Sequence, residues 1–133
     1  MMFVDASAIV AIITDEPDSA RLSQRLQAAE SSITSALAFY EAVLAVRRKR
    51  LSTVEEARRD VADLLAVTNT TVVPITEAHA AGALAAFARY GKGQGHKAQL
   101  NMGDCFAYAA ARHHGAALLF KGDDFAHTDI TVA

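Results

Sequence analysis

Met1-Met2-Phe3-Val4-Asp5-Ala6-Ser7-Ala8 is a short apolar run closed by an acid and followed at once by a helix-length pattern over residues 7 to 14. The same order recurs downstream. Ser32-Ile33-Thr34, Thr71-Val72-Val73 and Ala117-Leu118-Leu119-Phe120 are bounded runs of strand length, and Ile130-Thr131-Val132 suits a short edge strand. Between them lie longer stretches at helical period. Residues 18 to 29 predict a helix with Pro17 in its first turn and Leu22, Leu26 and Ala29 on one face. Residues 35 to 50 predict another. Thr53-Val54-Glu55-Glu56 has capping-box spacing and starts a fourth helix, in which Val54, Ala57, Val61, Leu64 and Leu65 recur at helical period. Thr76 caps a fifth that ends near Tyr90, and residues 104 to 114 form a sixth that Gly115 stops. Strands separated by helices imply parallel pairing through right-handed crossovers, hence a three-layer α/β/α sandwich around a central, mostly parallel sheet.

The composition fits one domain over residues 1–133, with 52% hydrophobic and 21% charged residues and neither repeats nor a linker. A chain of this length buries roughly two thirds of its unfolded surface, enough for a core without disulfide or zinc staples. Cys105 is the single cysteine and reads as a core thiol, since no cation or base stands beside it in the sequence. Asp5, Asp15 and Glu16 interrupt the first apolar stretch, so a signal peptide is not expected, nor is a membrane partner; the expected location is cytoplasmic.

Carboxylates occupy unusual places. Asp5 closes the first apolar run, Glu41 interrupts Ala-Leu-Ala-Phe-Tyr-Glu-Ala-Val-Leu-Ala-Val, Asp104 opens an alanine-rich helix, and Asp123-Asp124 follow the last long apolar run. Removing an ionised carboxylate from water costs several kcal/mol or more unless a partner compensates it. Acids repeated in core-forming segments therefore call for a shared counter-charge, and a divalent cation supplies one. In parallel α/β sheets ligands bind beyond the carboxyl ends of the strands, where Asp5 and Asp123-Asp124 are expected. Asp104 lies in a first helical turn, where the dipole favours an anion. Glu41 has Leu37, Ala38, Leu44 and Ala45 as its helical neighbours, which places it on the buried stripe.

The formal charge is −2, yet the cations cluster at Arg47-Arg48-Lys49-Arg50, at Arg58-Arg59 and around Lys92, His96 and Lys97. A near-neutral total thus accommodates a cationic rim around an anionic site. The run at 47 to 50 reads equally well as cations complementing a helix C-terminus. Oxygen-only donors suit Mg²⁺ or Mn²⁺. Zinc is disfavoured: His79, His96, His113, His114 and His127 show no paired spacing with Cys105, and neighbouring helical residues such as His113 and His114 diverge. The glycine-rich stretch 91 to 97 lacks a P-loop ending, and no nucleophile elbow is present.

Four stretches carry a family resemblance: Phe3-Val4-Asp5-Ala6-Ser7-Ala8, Ser35-Ala36-Leu37-Ala38-Phe39-Tyr40-Glu41, Leu100-Asn101-Met102-Gly103-Asp104-Cys105-Phe106-Ala107-Tyr108-Ala109, and Leu118-Leu119-Phe120-Lys121-Gly122-Asp123-Asp124-Phe125 with Thr128-Asp129-Ile130. In this order they make the chain resemble the PIN-domain ribonucleases, specifically the VapC-type toxins of toxin-antitoxin pairs. The resemblance implies a Mg²⁺- or Mn²⁺-dependent endoribonuclease that leaves a 5′-phosphate and a 3′-hydroxyl. It implies that Asp5, Glu41 and Asp104 are three site acids, with Asp123 or Asp124 as the fourth. Asp5 and Asp104 would be the principal metal ligands, completed by Glu41 and by Asp123 or Asp124. Ser7 would be an auxiliary polar group beside Asp5, or else a helix cap. Arg48, Lys92, Lys97 and Lys121 are the candidates for RNA phosphates, although Arg48 is also placed to neutralise the acids. The implied partners are an RNA substrate, a VapB-type antitoxin and a second copy of the chain.

Two other classes compete. A different metal-dependent phosphoryl-handling α/β protein would want an acid ending a middle strand or an Asp-x-Asp pair; Val72-Val73-Pro74-Ile75 and Asp5-Ala6-Ser7 supply neither. A non-catalytic module would use the acids only to hold a partner.

Overall fold

The computed structural model describes residues 1–133. In chain order the elements are β1 (Met2–Val4), α1 (Ala6–Ile13), α2 (Ser19–Ala28), β2 (Ser32–Ser35), α3 (Ala36–Arg50), α4 (Val54–Val67), β3 (Thr70–Val73), α5 (Glu77–Tyr90), α6 (Met102–His113) and β4 (Ala117–Leu119). The strands form one parallel sheet in the order β3-β2-β1-β4, with Phe3 opposite Ile33 on one side and Leu118 on the other. Strand alternation sends successive side chains to opposite faces. Phe3 and Leu118 pack with Ala86, Tyr90 and Tyr108 of α5 and α6, while Met2, Val4 and Leu119 pack with Ile9, Leu22, Val46 and Val61 of α1 to α4. These two cores make the three layers.

Several boundaries differ from the sequence expectation, each for a local reason. Asp5, not Ser7, caps α1, because its side chain accepts the Ser7 amide. Pro17 lies ahead of α2, whose N-cap is Asp18, so its fixed φ shapes the entry rather than the first turn. Asn101 caps α6 and starts it two residues earlier than expected, which makes Asp104 the third residue of the helix. Val54 is exposed, being the first residue of α4 and beyond the reach of the stripe formed by Ala57, Val61 and Leu65. Residues 130 to 132 contribute one parallel bridge, Leu118 with Val132, rather than a strand. Gly115, at φ +63°, provides the left-handed turn that ends α6.

The tail is fastened by Asp129. Its carboxylate accepts the Tyr108 hydroxyl and pairs with Arg89 at 3.4 Å and Arg112 at 3.3 Å, joining the chain end to α5 and α6. Burial and this hydrogen bond push the Tyr108 hydroxyl up to about 12.

Phe3 is completely buried between the sheet and α5/α6. Phe3→Ala is expected to cost about 3–5 kcal/mol in equilibrium denaturant unfolding; a loss below about 1 kcal/mol would show that this core layer is not close-packed.

Candidate functional site

Four acids meet beyond the carboxyl ends of β1, β2 and β4. Asp5 follows β1 directly, and its amide donates to the Leu119 carbonyl of β4 at 2.9 Å. Asp5 is buried, at 6% exposure. Both donors of Ser7 converge on one of its oxygens: the amide reaches Oδ2 at 3.0 Å and the hydroxyl at 2.5 Å. The Ser7 hydroxyl in turn accepts the Lys121 amide at 3.0 Å, so one serine ties the first acid to the loop after β4.

Asp104 is 8% exposed and exchanges hydrogen bonds with Asn101. The Asp104 amide donates to Asn101 Oδ1 at 2.8 Å, and the Asn101 amide donates to Asp104 Oδ2 at 3.1 Å. The carboxylate is therefore held by the start of its own helix. Glu41 stands on α3 one and a half turns past its Ser35 cap. It is half-buried at the edge of the layer, not on the buried stripe, which runs through Ala38, Ala42, Val43 and Val46. Its carboxylate lies against the α-carbon of Gly103, where an added Cβ would come within 2.1 Å of Oε2.

Electrostatics distinguish the two late aspartates. Desolvation raises the Asp104 carboxyl to about 7, helped by the charges of Asp124 and Asp5 and by hydrogen bonding with Asp124. Desolvation likewise raises Asp5, again with Asp124 contributing. Glu41 is raised to about 6 by desolvation and then by Asp5. Asp124 thus stands close to Asp5 and Asp104. Both late aspartates are exposed, but only Asp124 figures among the charges acting on Asp5 and Asp104, and neither figures among those acting on Glu41. The two neighbours share the same exposed loop after β4, and what separates them is the nearness of Asp124 to Asp5 and Asp104.

The basic residues divide. Glu41 opens into a cleft of about 500 Å³ lined also by Ser7, Glu16, Tyr40, Arg48, Lys49 and Lys121. Arg48 lines this cleft without an ion pair to Glu41, so it does not neutralise the acids. Lys121 pairs with Glu16, which also holds Lys49 at 3.3 Å; these cations are fixed at the mouth. Lys92 and Lys97 stand on the loop between α5 and α6 and do not act on the site carboxyls.

The acid cluster is a fit for a hard divalent cation. Its donors are all carboxylate or hydroxyl oxygens, Asp5, Glu41 and Asp104 are each raised first by desolvation, and no lysine or arginine figures among the causes acting on them. The sequence reading missed Gly103, Asn101, Glu16 and Tyr40. Asn101 was recoverable from Asn-x-x-Asp spacing before an apolar run; the others depend on tertiary approach. It also wrongly separated the histidines. His114 is the C-cap rather than a helical residue, so its ring does not follow the helical divergence from His113, and both approach His79.

Comparison with known proteins identifies the family and the fold. Residues 2–130 match the PIN domain family model. A VapC ribonuclease of Rhizobium meliloti is 42% identical, with 98% of this chain and 99% of the relative covered. Ribonuclease VapC28 of Mycobacterium tuberculosis is 39% identical over 97% of this chain and 95% of its own length. Among solved structures, the sarcin-ricin loop cleaving toxin VapC20 of Mycobacterium tuberculosis superposes with a TM-score of 0.78 at 16% identity, covering 100% of this chain and 98% of that one. FitAcB of Neisseria gonorrhoeae superposes at 0.66 with 20% identity, covering 99% and 96%.

Two predictions follow from the packing and charge. Gly103→Ala is expected to displace Glu41 while leaving the helix intact, seen as a changed Glu41 side-chain NMR titration with unchanged far-UV dichroism; an unaltered titration counts against the close approach. The second concerns metal-free protein. The Asp104 carboxyl binds its proton more tightly in the folded chain than in the unfolded one, so folding stability must fall as pH rises through about 7. His79, whose pKa is lowered by burial, pulls the other way only below its ordinary value of 6.5. In EDTA, stability is expected to drop by on the order of 1 kcal/mol between pH 6.5 and 8, and Mg²⁺ is expected to remove the drop. Thermal unfolding at the two pH values, with and without Mg²⁺, checks both; a rise in EDTA contradicts the arrangement.

The chain belongs to the PIN-domain family, among the VapC ribonucleases.

Proposed function

We propose that this protein is a Mg²⁺- or Mn²⁺-dependent endoribonuclease, the toxin of a toxin-antitoxin pair, and that it hydrolyses RNA phosphodiester bonds at Asp5, Glu41, Asp104 and Asp124. The observation that carries the reading is the convergence of four carboxylates, two of them buried, with no cationic side chain among them. Asp5 and Asp104 would be the principal ligands, with Glu41 and Asp124 completing the set. A bound divalent cation supplies Lewis-acid charge to water and phosphate. The chain's own groups do the rest. Ser7 and Asn101 orient the two buried carboxylates. Glu41, raised to about 6, stands at the cleft edge where it can take a proton from an attacking water. Arg48, on the Glu41 face of the cleft, holds a backbone phosphate, and Lys49 and Lys121 widen the positive mouth.

Two partners extend the proposal. A small antitoxin of the VapB type would enter the same cleft, where a cationic tail complements the acids. A second copy of the chain fits the apolar groove of Leu84, Phe87, Met102, Cys105 and Phe106 beside α6.

The decisive experiment incubates purified protein with total RNA and Mg²⁺ or Mn²⁺. Cleavage is expected to stop in EDTA, and Asp104→Asn and Asp124→Asn are each expected to lower the rate by two orders of magnitude or more, while Asp123→Asn leaves it largely intact. Cleavage that persists in EDTA or in Asp104→Asn rejects the mechanism. Equal losses at positions 123 and 124 reject the assignment of the fourth acid.

A further inference from the structure

Three imidazoles meet at the opposite end of α6 from Asp104. His79 belongs to the first turn of α5, His113 closes α6, and His114 is its C-cap. One ring nitrogen from each lies within 4.8 Å of those of the other two. Ring centroids stand 4.7 Å apart for His79 and His113, 5.5 Å for His79 and His114, and 5.1 Å for His113 and His114. His79 is only 3% exposed. The Nε2 atoms of His79 and His114 are both buried, and neither has a hydrogen-bond partner. A buried polar atom left unpaired costs on the order of 1–3 kcal/mol. Two such atoms beside a third, exposed imidazole leave a gap in bonding that packing alone does not explain.

We propose that His79, His113 and His114 form a second metal site, one that takes a transition ion of the zinc class and is separate from the acid cluster. Imidazole donors suit zinc, nickel or copper and not magnesium. Three protein ligands leave the fourth tetrahedral position to water. Donors of a tetrahedral zinc site stand about 3.4 Å apart, so the widest pair closes by at most about 1.4 Å. The exposed His113 ring can rotate to supply that closure.

The protons constrain how the site fills. His79 Nδ1 accepts the Thr76 amide at 3.1 Å, so the neutral ring carries its proton on Nε2. Burial and the two neighbouring imidazoles keep that ring neutral. An ion captured at Nε2 displaces this proton. The ring stays neutral by taking a proton at Nδ1, and the Thr76 amide then turns to water, which its exposed position allows. The site exchanges one capping bond at the start of α5 for a clamp between α5 and the end of α6. Position 113 is nine residues past Asp104, about 14 Å along the helix, so the clamp draws on none of the proposed catalytic acids.

The test uses untagged full-length protein, stripped of metal and titrated with Zn²⁺ in excess Mg²⁺. One Zn²⁺ per chain is expected by calorimetry, with a raised unfolding temperature, faster exchange of the Thr76 amide, and a visible absorption band when Co²⁺ replaces zinc. His113→Gln with His114→Gln is expected to weaken Zn²⁺ binding tenfold or more. His113→Gln alone, at an exposed position, provides the same readout should the pair destabilise the fold. Asp104→Asn is expected to bind Zn²⁺ as the wild type does. Unchanged affinity in the histidine variants, loss of binding in Asp104→Asn, or no binding by the wild type each overturns the site.

Discussion

The structure turns on mutual repulsion among carboxylates that the fold nevertheless forces together. Asp5, Glu41, Asp104 and Asp124 come from four separate segments, and each is committed to its place by backbone structure rather than by attraction to the others. β1 is flanked by β2 and β4, so Asp5 leaves the sheet at its centre. Asp104 sits where Asn101 starts α6, and Glu41 is pressed to Gly103 one residue before it. In the metal-free chain the result is acids raised above their ordinary values, Glu41 to about 6 and Asp104 to about 7, so that Asp104 is still part-protonated at neutral pH. That is a cost to stability, of the sort expected where a site is organised for a ligand rather than for the fold.

The net charge of −2 is the sum of two opposed regions. Along the last turns of α3, Arg50 is used structurally, pairing with Asp60 at 2.9 Å and donating to the Ile13 carbonyl at 2.5 Å. Lys49 is shared with Glu16, and Lys121 reaches the same glutamate from the loop after β4. Glu16 is held below the usual carboxylate range, first by the Lys121 hydrogen bond, and so remains charged. It acts as an anchor that fixes two cations at the cleft mouth. Arg48 is left without a carboxylate partner beside Glu41, which suits a group reserved for an incoming anion.

Much of this was legible in the sequence because it rests on local rules. Strand-length runs separated by helical periods led to the parallel sandwich, and acids terminating or interrupting apolar segments led to Asp5, Glu41 and Asp104. What was not legible depended on turns and on distance. Nothing in Lys-Gly-Asp-Asp-Phe states which aspartate stands nearer the other acids; only the folded loop after β4 sets Asp124 close enough to act on Asp5 and Asp104. Gly103 reads as an ordinary helical glycine until α3 is packed against it. The histidine cluster was hidden because adjacency in a helix implies divergence, a rule that lapses where His114 leaves the helix.

Asp5 and Asp104 share one device, which explains how buried acids persist without a cation. Each is bound into the start of a helix: Asp5 is the N-cap of α1, and Asp104 completes the capping box of α6. The free N–H groups and the positive dipole end of those turns compensate part of the negative charge. For Asp5 both Ser7 donors fall on Oδ2, and for Asp104 the Asn101 amide likewise falls on Oδ2. One oxygen of each carboxylate is therefore spent on orientation, and the other stays available to a ligand. Capping and metal binding thus draw on different atoms of the same side chain. An isolated acid-to-amide substitution keeps much of the capping oxygen's role while removing the charge, so loss of function and retention of the fold are separable at these positions.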